Sequence, residues 1–300
     1  MTAASRRGAT LPGVLVGLAL TAVVLATLGN AAVTLLRQAH RQHDRTQARA
    51  QLAQAAGVLA AELRGAASVA TATDVADLLL VADSAVELRA PVGGGAACAV
   101  GPDALELLDA PIDGAPPVAW WHDAPQPEDV VHLLDEGATP RVADDAWHAR
   151  TIVAVSRGGG ACAAGPYAAW RGAGAALLLR LDGPPLPATL GAGAPVRVTR
   201  RRRYVLYRAA DDGWQLGQRV WTGGVGTLQP VAGPLAAFGA VDAGLSVVAL
   251  DAAGTPVSGA PPGGPVARLS LIVRAERRWA GRRWTDSAVA HVPVGAGATP

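Results

Sequence analysis

The chain begins with an unbroken apolar stretch. No charged side chain occurs between Gly8 and Leu36, and about 20 apolar residues suffice to span a bilayer core. Downstream the pattern changes character without losing its period. Arg37, Arg41, Arg45 and Arg49 recur at every fourth position, which places them along one slowly drifting helical stripe. Ala48, Leu52, Ala55, Leu59 and Leu63 form a second, apolar stripe at helical spacing. From Arg37 onward no glycine or proline intervenes before Gly57. The spacing predicts one continuous helix of about 55 residues and about 80 Å, ending near Gly65. Its first half (9–36) is a transmembrane candidate. Its second half (37–66) is amphipathic and presents one face to a folded domain.

Beyond the helix the period shortens. Extended runs such as AVELRA, ALELLD, VVHLLD, RTIVAV, ALLLRL, YVLYR, WQLGQRVW, LSVVALD and VARLSLIVRA sit between turn signals, the pattern of a β-rich domain. VAWW and SAVAHVPV are further candidates. Asp211-Asp212-Gly213 marks a hairpin after Tyr204–Arg208. Alternation over Val266–Arg274 predicts a half-buried strand. Gly259–Pro265 reads as a loop, Gly183–Pro195 as a candidate break, and the terminal GAGATP as a loose tail. The fold class is therefore α+β: a long N-terminal helix followed by a β-rich domain over residues 67–300.

Composition adjusts this picture. Half of the 300 residues are apolar, but 36 are Gly and 22 Pro, with eight Trp and a single Phe. The core therefore rests on Val, Leu and Trp. All 26 basic residues are Arg and the net charge is +2, which gives no strong bias toward any partner. The two cysteines, Cys98 and Cys162, lie in near-copies of one phrase, GGGAACAVGP and GGGACAAGP. Each copy follows an extended apolar run, so two similar strand-turn-strand units would place the cysteines at equivalent sites. An even pair fits one disulfide in an exported domain; two buried thiols in a cytosolic protein is the alternative. Bridged, they would close a loop of about 65 residues, worth about 4 kcal/mol in the chain-entropy model.

The first residues then acquire meaning. Arg6-Arg7-Gly8, Ala9-Thr10-Leu11, the apolar run and its amphipathic continuation resemble the N-terminus of the type IV pilin and type II secretion pseudopilin superfamily. Beyond the helix the order of elements looks most like minor PilW-type or J-type subunits. The resemblance implies cleavage after Gly8 by a prepilin peptidase, so that residues 1–8 are a leader, and N-methylation of Ala9. It also implies an inner-membrane precursor with a periplasmic domain, an assembly platform and other pilin-like subunits as partners. The mature chain would enter a filament or reach the cell surface. Two positions depart from the family pattern: Ala9 stands where Phe or Met is usual, and Gly13 where a glutamate is usual. That glutamate pairs with a neighbour's charged amino terminus, so Gly13 implies a minor or tip subunit. Gly13 and Gly17 form a G-x-x-x-G that permits close helix packing.

Two other readings of the segment stay open. Gly29-Asn30-Ala31 fits a small-x-small secretory cleavage site. A plain single-pass anchor for a β-rich binding domain fits as well. The count of arginines on either side of the apolar run favours a cytoplasmic domain, whereas the leader-like motif and the cysteine pair favour export.

Chemistry is sparsely indicated. Asp144, Asp145 and His148 are a weak metal candidate against the plainer reading of a solvated loop, since real sites need three or four convergent ligands. H-E-x-x-H, G-x-S-x-G and P-loop motifs do not occur. Gly223-Gly224-Val225-Gly226 lacks the lysine and the strand-to-helix context of a phosphate site. Arg200–Arg203 could grip DNA phosphates, but a solvated strand edge, where charge blocks edge pairing, is preferred. The expectation is a structural protein without enzymatic activity, cofactor or metal; an exported enzyme with an unrecognised site is the weakest alternative.

Overall fold

The computed structural model describes residues 11–67, 77–108, 119–137, 139, 144–158, 160, 162, 176–222, 224–239, 242–257, 266–279 and 282–293. The chain divides into two compact units, Met1–Ala50 and Gln51–Pro300. A single helix, α1 (Leu11–Ala67), runs through the boundary. Its 57 residues correspond to about 85 Å, and it ends two residues past the expected Gly65.

From Leu11 to Leu36 α1 is apolar on all sides. Leu11, Leu15, Leu18, Leu25, Leu28 and Leu36 are all exposed. Its few polar side chains are satisfied locally. The hydroxyls of Thr21, Thr27 and Thr34 donate to the carbonyls of Gly17, Val24 and Asn30 at 2.8–2.9 Å. Such internal bonding is what a segment needs where no water is available. The segment is long and apolar enough to cross a membrane. α1 also continues without a break through Gly29-Asn30.

The second unit contains the last turns of α1 and thirteen strands among the described residues. They are β1 (Leu78–Ala82), β2 (Ala85–Val100), β3 (Ala104–Leu108), β4 (Ala119–Trp121), β5 (Val130–Asp135), β6 (Ala146–Arg157) and β7 (Ala176–Asp182). Then come β8 (Pro195–Arg208), β9 (Trp214–Thr222), β10 (Val225–Leu235), β11 (Leu245–Leu250), β12 (Arg268–Trp279) and β13 (Arg282–Pro293). Every ladder is antiparallel.

The first ten strands form one sheet that closes on itself. β2 pairs with β3, β3 with β7, β7 with β6, β6 with β5, β5 with β8, and β8 again with β2. This ring is a six-stranded barrel filled by Leu105, Leu107, Val131, Leu133, Ile152 and Leu179. Leu186 and Leu190, from the connection between β7 and β8, add to the same core. Gly183–Pro195 is therefore no domain break: its leucines belong to the barrel interior, and β8 closes the ring.

β2 and β8 are long enough to leave the barrel. Their far halves, flanked by β1, β9 and β10, build a second core with the separate sheet β11-β12-β13. Leu52, Ala55, Ala56, Leu59, Ala60 and Leu63 of α1 pack into this core, which places most of the predicted apolar stripe there. Facing them are Val86, Leu88, Tyr204 and Leu206, and from the other sheet Val247, Leu269, Leu271 and Val273.

The first glycine-rich phrase forms no strand-turn-strand unit. It lies inside β2, where Gly93–Gly95 pair with β4 on one side and β8 on the other. A Cβ on Gly93 would collide with the Trp121 ring, and one on Gly94 would sit 2.5 Å from the Val196 carbonyl oxygen. Glycine is required there for close strand approach. The second phrase follows the end of β6 and lies largely outside the described residues.

Cys98 in β2 is nonetheless bonded to Cys162, with the Cα atoms 4.7 Å apart across a sequence separation of 64. The Cys162 backbone N–H donates to Glu106 Oε1 at 2.9 Å. Cross-linking a loop of this length removes chain entropy from the unfolded state. Replacing both cysteines by alanine is expected to cost about 2–5 kcal/mol. Thermal unfolding with and without dithiothreitol checks it: the reductant should lower the midpoint of the parent and leave the variant unmoved.

Candidate functional site

The residues that carry the pilin-like signal divide sharply. Gly8 and Ala9 lie outside the described residues. Gly13 and Gly17 lie in α1 and are exposed. A Cβ on Gly17 would meet nothing within 4 Å, so this glycine leaves an open notch on the helix. No acidic residue stands in the first turn of α1. The exposed apolar cylinder that contains the notch is one candidate interaction surface of the chain.

The second charged feature of the sequence, Arg200–Arg203, lies inside β8 rather than on an edge strand. β8 is paired with β2 throughout the run, while on its other side the β5 ladder ends at Thr199 and the β9 ladder begins at Arg202. Alternation along β8 puts Arg200 on the same face as Val198 and Tyr204, between the residues that feed the two cores. Its guanidinium is 4% exposed and held by several acceptors. Nε and Nη2 donate to the two carboxylate oxygens of Asp129 at 2.8 and 2.9 Å. Nη1 donates to Asp123 at 2.5 Å and Nη2 to the Ala124 carbonyl at 2.7 Å. The Gln126 backbone N–H completes the Asp129 carboxylate at 2.9 Å.

Its neighbours are similarly engaged. Arg202 pairs with Glu62 of α1 at 2.6 Å, tying the helix to the sheet. Arg201 pairs with the buried Glu87 at 2.6 Å and lies over the Trp221 ring, 4.2 Å from its centroid. Arg197 pairs with Asp77 through two bonds of 2.5 and 3.1 Å. Burial pushes the Asp77 carboxyl up, against the pull of Arg197 and then Arg89. These four arginines therefore serve protein carboxylates.

Beside Arg202 an open cleft of about 420 Å³ is bordered by Glu62, Tyr204, Gln218, Thr227 and Gln229. The Gln218 amide donates to the Tyr204 hydroxyl at 3.0 Å. Burial, then the Glu62 charge, raises the Tyr204 pKa, so the phenol stays protonated at neutral pH.

The acidic and histidine candidates do not converge. Asp144 accepts from the Thr139 backbone N–H and hydroxyl at 2.8 and 2.7 Å. His148 instead lies 3.7 Å from Asp135. Among the described residues no three His, Cys, Asp or Glu are grouped to hold a metal ion. Gly224 and Gly226 belong to the β9–β10 hairpin, with Gly224 at φ 75°.

His132, which the sequence did not single out, is buried between β5 and β8, with Nε2 3.1 Å from the Thr199 hydroxyl. Burial, followed by the charges of Arg197 and Arg89, pushes its pKa down to about 3.

These features define an α+β protein with one long, apolar N-terminal helix and a strand-rich domain. Comparison of the chain with protein-family models, curated proteins and solved structures finds no match.

Two outcomes follow from the buried charges. Arg200→Ala strands the Asp129 carboxylate and is expected to cost about 3–5 kcal/mol. Arg208→Ala, which breaks an exposed pair with Asp212, should cost less than about 1 kcal/mol. Urea midpoints of the two variants test the contrast. For His132 the folded chain binds fewer protons than the unfolded chain between pH 6.5 and about 3. Its contribution is complete above pH 6.5 and is lost as pH falls, at about 1 kcal/mol per unit. Stability of the parent should therefore decline more steeply from pH 6.5 to 4.5 than that of His132→Gln.

Proposed function

We propose that the chain is a structural subunit of a pilin-like filament, a minor pilin or pseudopilin. It is cut after Gly8, methylated at Ala9, and held in the inner membrane by α1 with its β-rich domain in the periplasm. It then assembles with related subunits into, or at the tip of, a type IV pilus or a type II secretion pseudopilus. The observation that carries this reading is the dual character of α1. One uninterrupted helix is exposed and apolar from Leu11 to Leu36, and its last turns are built into the core of the β-rich unit. A helix of that kind joins a β-rich domain to a lipid-compatible segment. The bonded cysteine pair supports an oxidising compartment. The engagement of Arg197, Arg200, Arg201 and Arg202 by carboxylates favours protein partners over DNA.

A second reading is a single-pass anchored β-rich domain that binds a ligand and never assembles. It is favoured by Gly13 and by the lack of any acidic residue in the first turn of α1, since no carboxylate is offered to a neighbour's amino terminus. Mass spectrometry of the mature amino terminus separates the two. The filament reading expects N-methylated Ala9. An intact Met1 would favour the anchor, and a start near Ala32 would make the protein secreted.

A further inference from the structure

The strands β2, β8 and β9 turn one face toward the core that holds the last turns of α1, with Val86, Leu88, Tyr204, Leu206 and Leu216. Alternation puts the neighbouring side chains on the opposite face, and that face is basic. The register sets Glu87, Arg203 and Arg219 side by side across the three strands, and Arg89 beside Arg201 two residues along. The strands β1, β2, β8, β9 and β10 together contribute a single carboxylate, Glu87. It already accepts from Arg201 Nε at 2.6 Å.

Arg203 and Arg219 are thus directly opposed across two strands. Among the described residues neither has a carboxylate partner, and Nε of each is buried without a hydrogen bond. Like charges directly opposite one another destabilise a sheet, and a buried donor left unmade adds to the cost. The arginine stems are nevertheless held in place. A Cβ on Gly226 would lie 2.9 Å from Arg219 Cδ and 3.3 Å from Trp221 Nε1. Glycine at 226 therefore makes room for the Arg219 stem and the indole edge together. The Trp221 ring in turn lies under the Arg201 guanidinium, 4.2 Å from ring centroid to Cζ. Arg201 is exposed, and Arg203, Arg219 and Trp221 are partly so. The group is fixed from below and open to solvent above, and the free polar groups it offers are N–H donors.

We propose that Arg203 and Arg219, with Arg201 and Trp221 beside them, bind a tetrahedral oxyanion: inorganic phosphate or the terminal phosphate of a small monoester. Two positive charges have to be met at one place. A carboxylate brings one negative charge and in this fold is satisfied by one guanidinium, as Asp129 is by Arg200. A phosphodiester also brings one charge per phosphate, spaced along a chain. A phosphate with a free terminus approaches two charges and presents three strong acceptor oxygens. Two guanidinium forks and an indole N–H match that acceptor set. The site lies wholly within the strand-rich unit and stands independently of the filament reading.

The test is calorimetric titration of the full chain in a neutral detergent, at fixed ionic strength and mildly alkaline pH. The titrants are inorganic phosphate and glycerol phosphate, and the tighter of the two identifies the free or the esterified form as the ligand. The expected result is saturable binding at one site per chain. The double variant Arg203→Gln with Arg219→Gln should weaken it about tenfold or more. Arg208→Gln, which loses only an exposed pair with Asp212, should leave it unchanged. Phosphate should also raise the thermal midpoint of the parent and leave that of the double variant unmoved. Should the double variant fail to fold, Arg219→Lys decides: it keeps the charge without the fork, and undiminished binding overturns the proposal. Absence of saturable binding to both phosphates overturns it, as does equal binding by a folded double variant. Tighter binding of polyglutamate overturns it in favour of an acidic protein segment. Tighter binding of an oligothymidylate without terminal phosphate overturns it in favour of nucleic acid.

Discussion

The pairing of β2 with β8 holds the second unit together. Its ladder runs from Ala85↔Val205 to Ala96↔Pro195 and passes from one hydrophobic core to the other. The passage is marked by a bulge: the register shifts between Pro91 and Gly93, leaving Val92 as the extra residue. Before it Val86, Leu88 and Ala90 point into the core shared with α1; after it Val92 and Ala97 belong to the barrel. One inserted residue reverses the alternation and increases local twist. A sheet that feeds the helix-side core at one end can thereby curl into a closed ring at the other. Proline suits that position because it has no N–H to lose from the ladder.

Arg200 stands at the same transition on the partner strand. Val196 and Val198 fill the barrel, and Tyr204 and Leu206 fill the other core. Between them the inward face of β8 has neither core to enter. A buried arginine with a bidentate carboxylate fills the gap, and each polar atom named around it has a partner. A buried ion pair of this sort adds little net stability over an apolar plug. What it adds is directional: Asp123 and Asp129 must lie where the guanidinium points, which fixes the segment before β5 against the barrel mouth. Arg202 and Glu62 do the same for α1, setting the helix's rotation so that Leu59 and Leu63 face the sheet.

The parts of this fold that were legible in the sequence are those governed by periodicity. The apolar run and the stripe from Leu52 to Leu63 gave α1 within two residues at its C-terminal end. Extended runs between turn signals marked β5 and β11 with nearly their observed bounds, alternation marked β12, and Asp211-Asp212-Gly213 located the β8–β9 turn. Strands without alternation escaped. β10, VGTLQPVAGPL, contains two prolines and three exposed positions at its start, and β1 is a short apolar run with no polar partner positions. The arginine run was misplaced at an edge because charge density resembles solvation in one dimension. Only the long-range partners Glu62, Glu87, Asp123 and Asp129 make this placement tolerable for it, and no local pattern announces them. The glycine phrases looked like twins because composition repeats; the first is glycine-rich to admit Trp121 and β8, a constraint visible only in three dimensions. Of the processing signal, Gly8 and Ala9 lie outside the described residues, and Gly13 and Gly17 appear as exposed positions without a neighbour's contact to interpret them.

The first unit poses a different physical problem, which the β-rich domain cannot solve. From Leu11 to Leu36, thirteen large aliphatic side chains of α1 are 45–77% exposed. Burying such side chains is worth about 1.5–3 kcal/mol each, so this surface in water is disfavoured by tens of kcal/mol. That exceeds the whole stability of an ordinary domain. The exposed rod is therefore the state of α1 only where another apolar medium surrounds it. Lipid satisfies every side equally and calls for no particular spacing of residues. Packing against other helices asks for more, namely small residues that let backbones approach. Gly13 and Gly17, spaced for one helical face and with open space beside Gly17, meet that demand, whereas lipid alone gives no reason for them. The same stretch offers no carboxylate to pair with a neighbour's amino terminus. Under the filament reading, association through this face would rest on shape and close contact rather than on charge. Under the filament reading proposed above, such a subunit would take an end position rather than the middle of a repeating shaft.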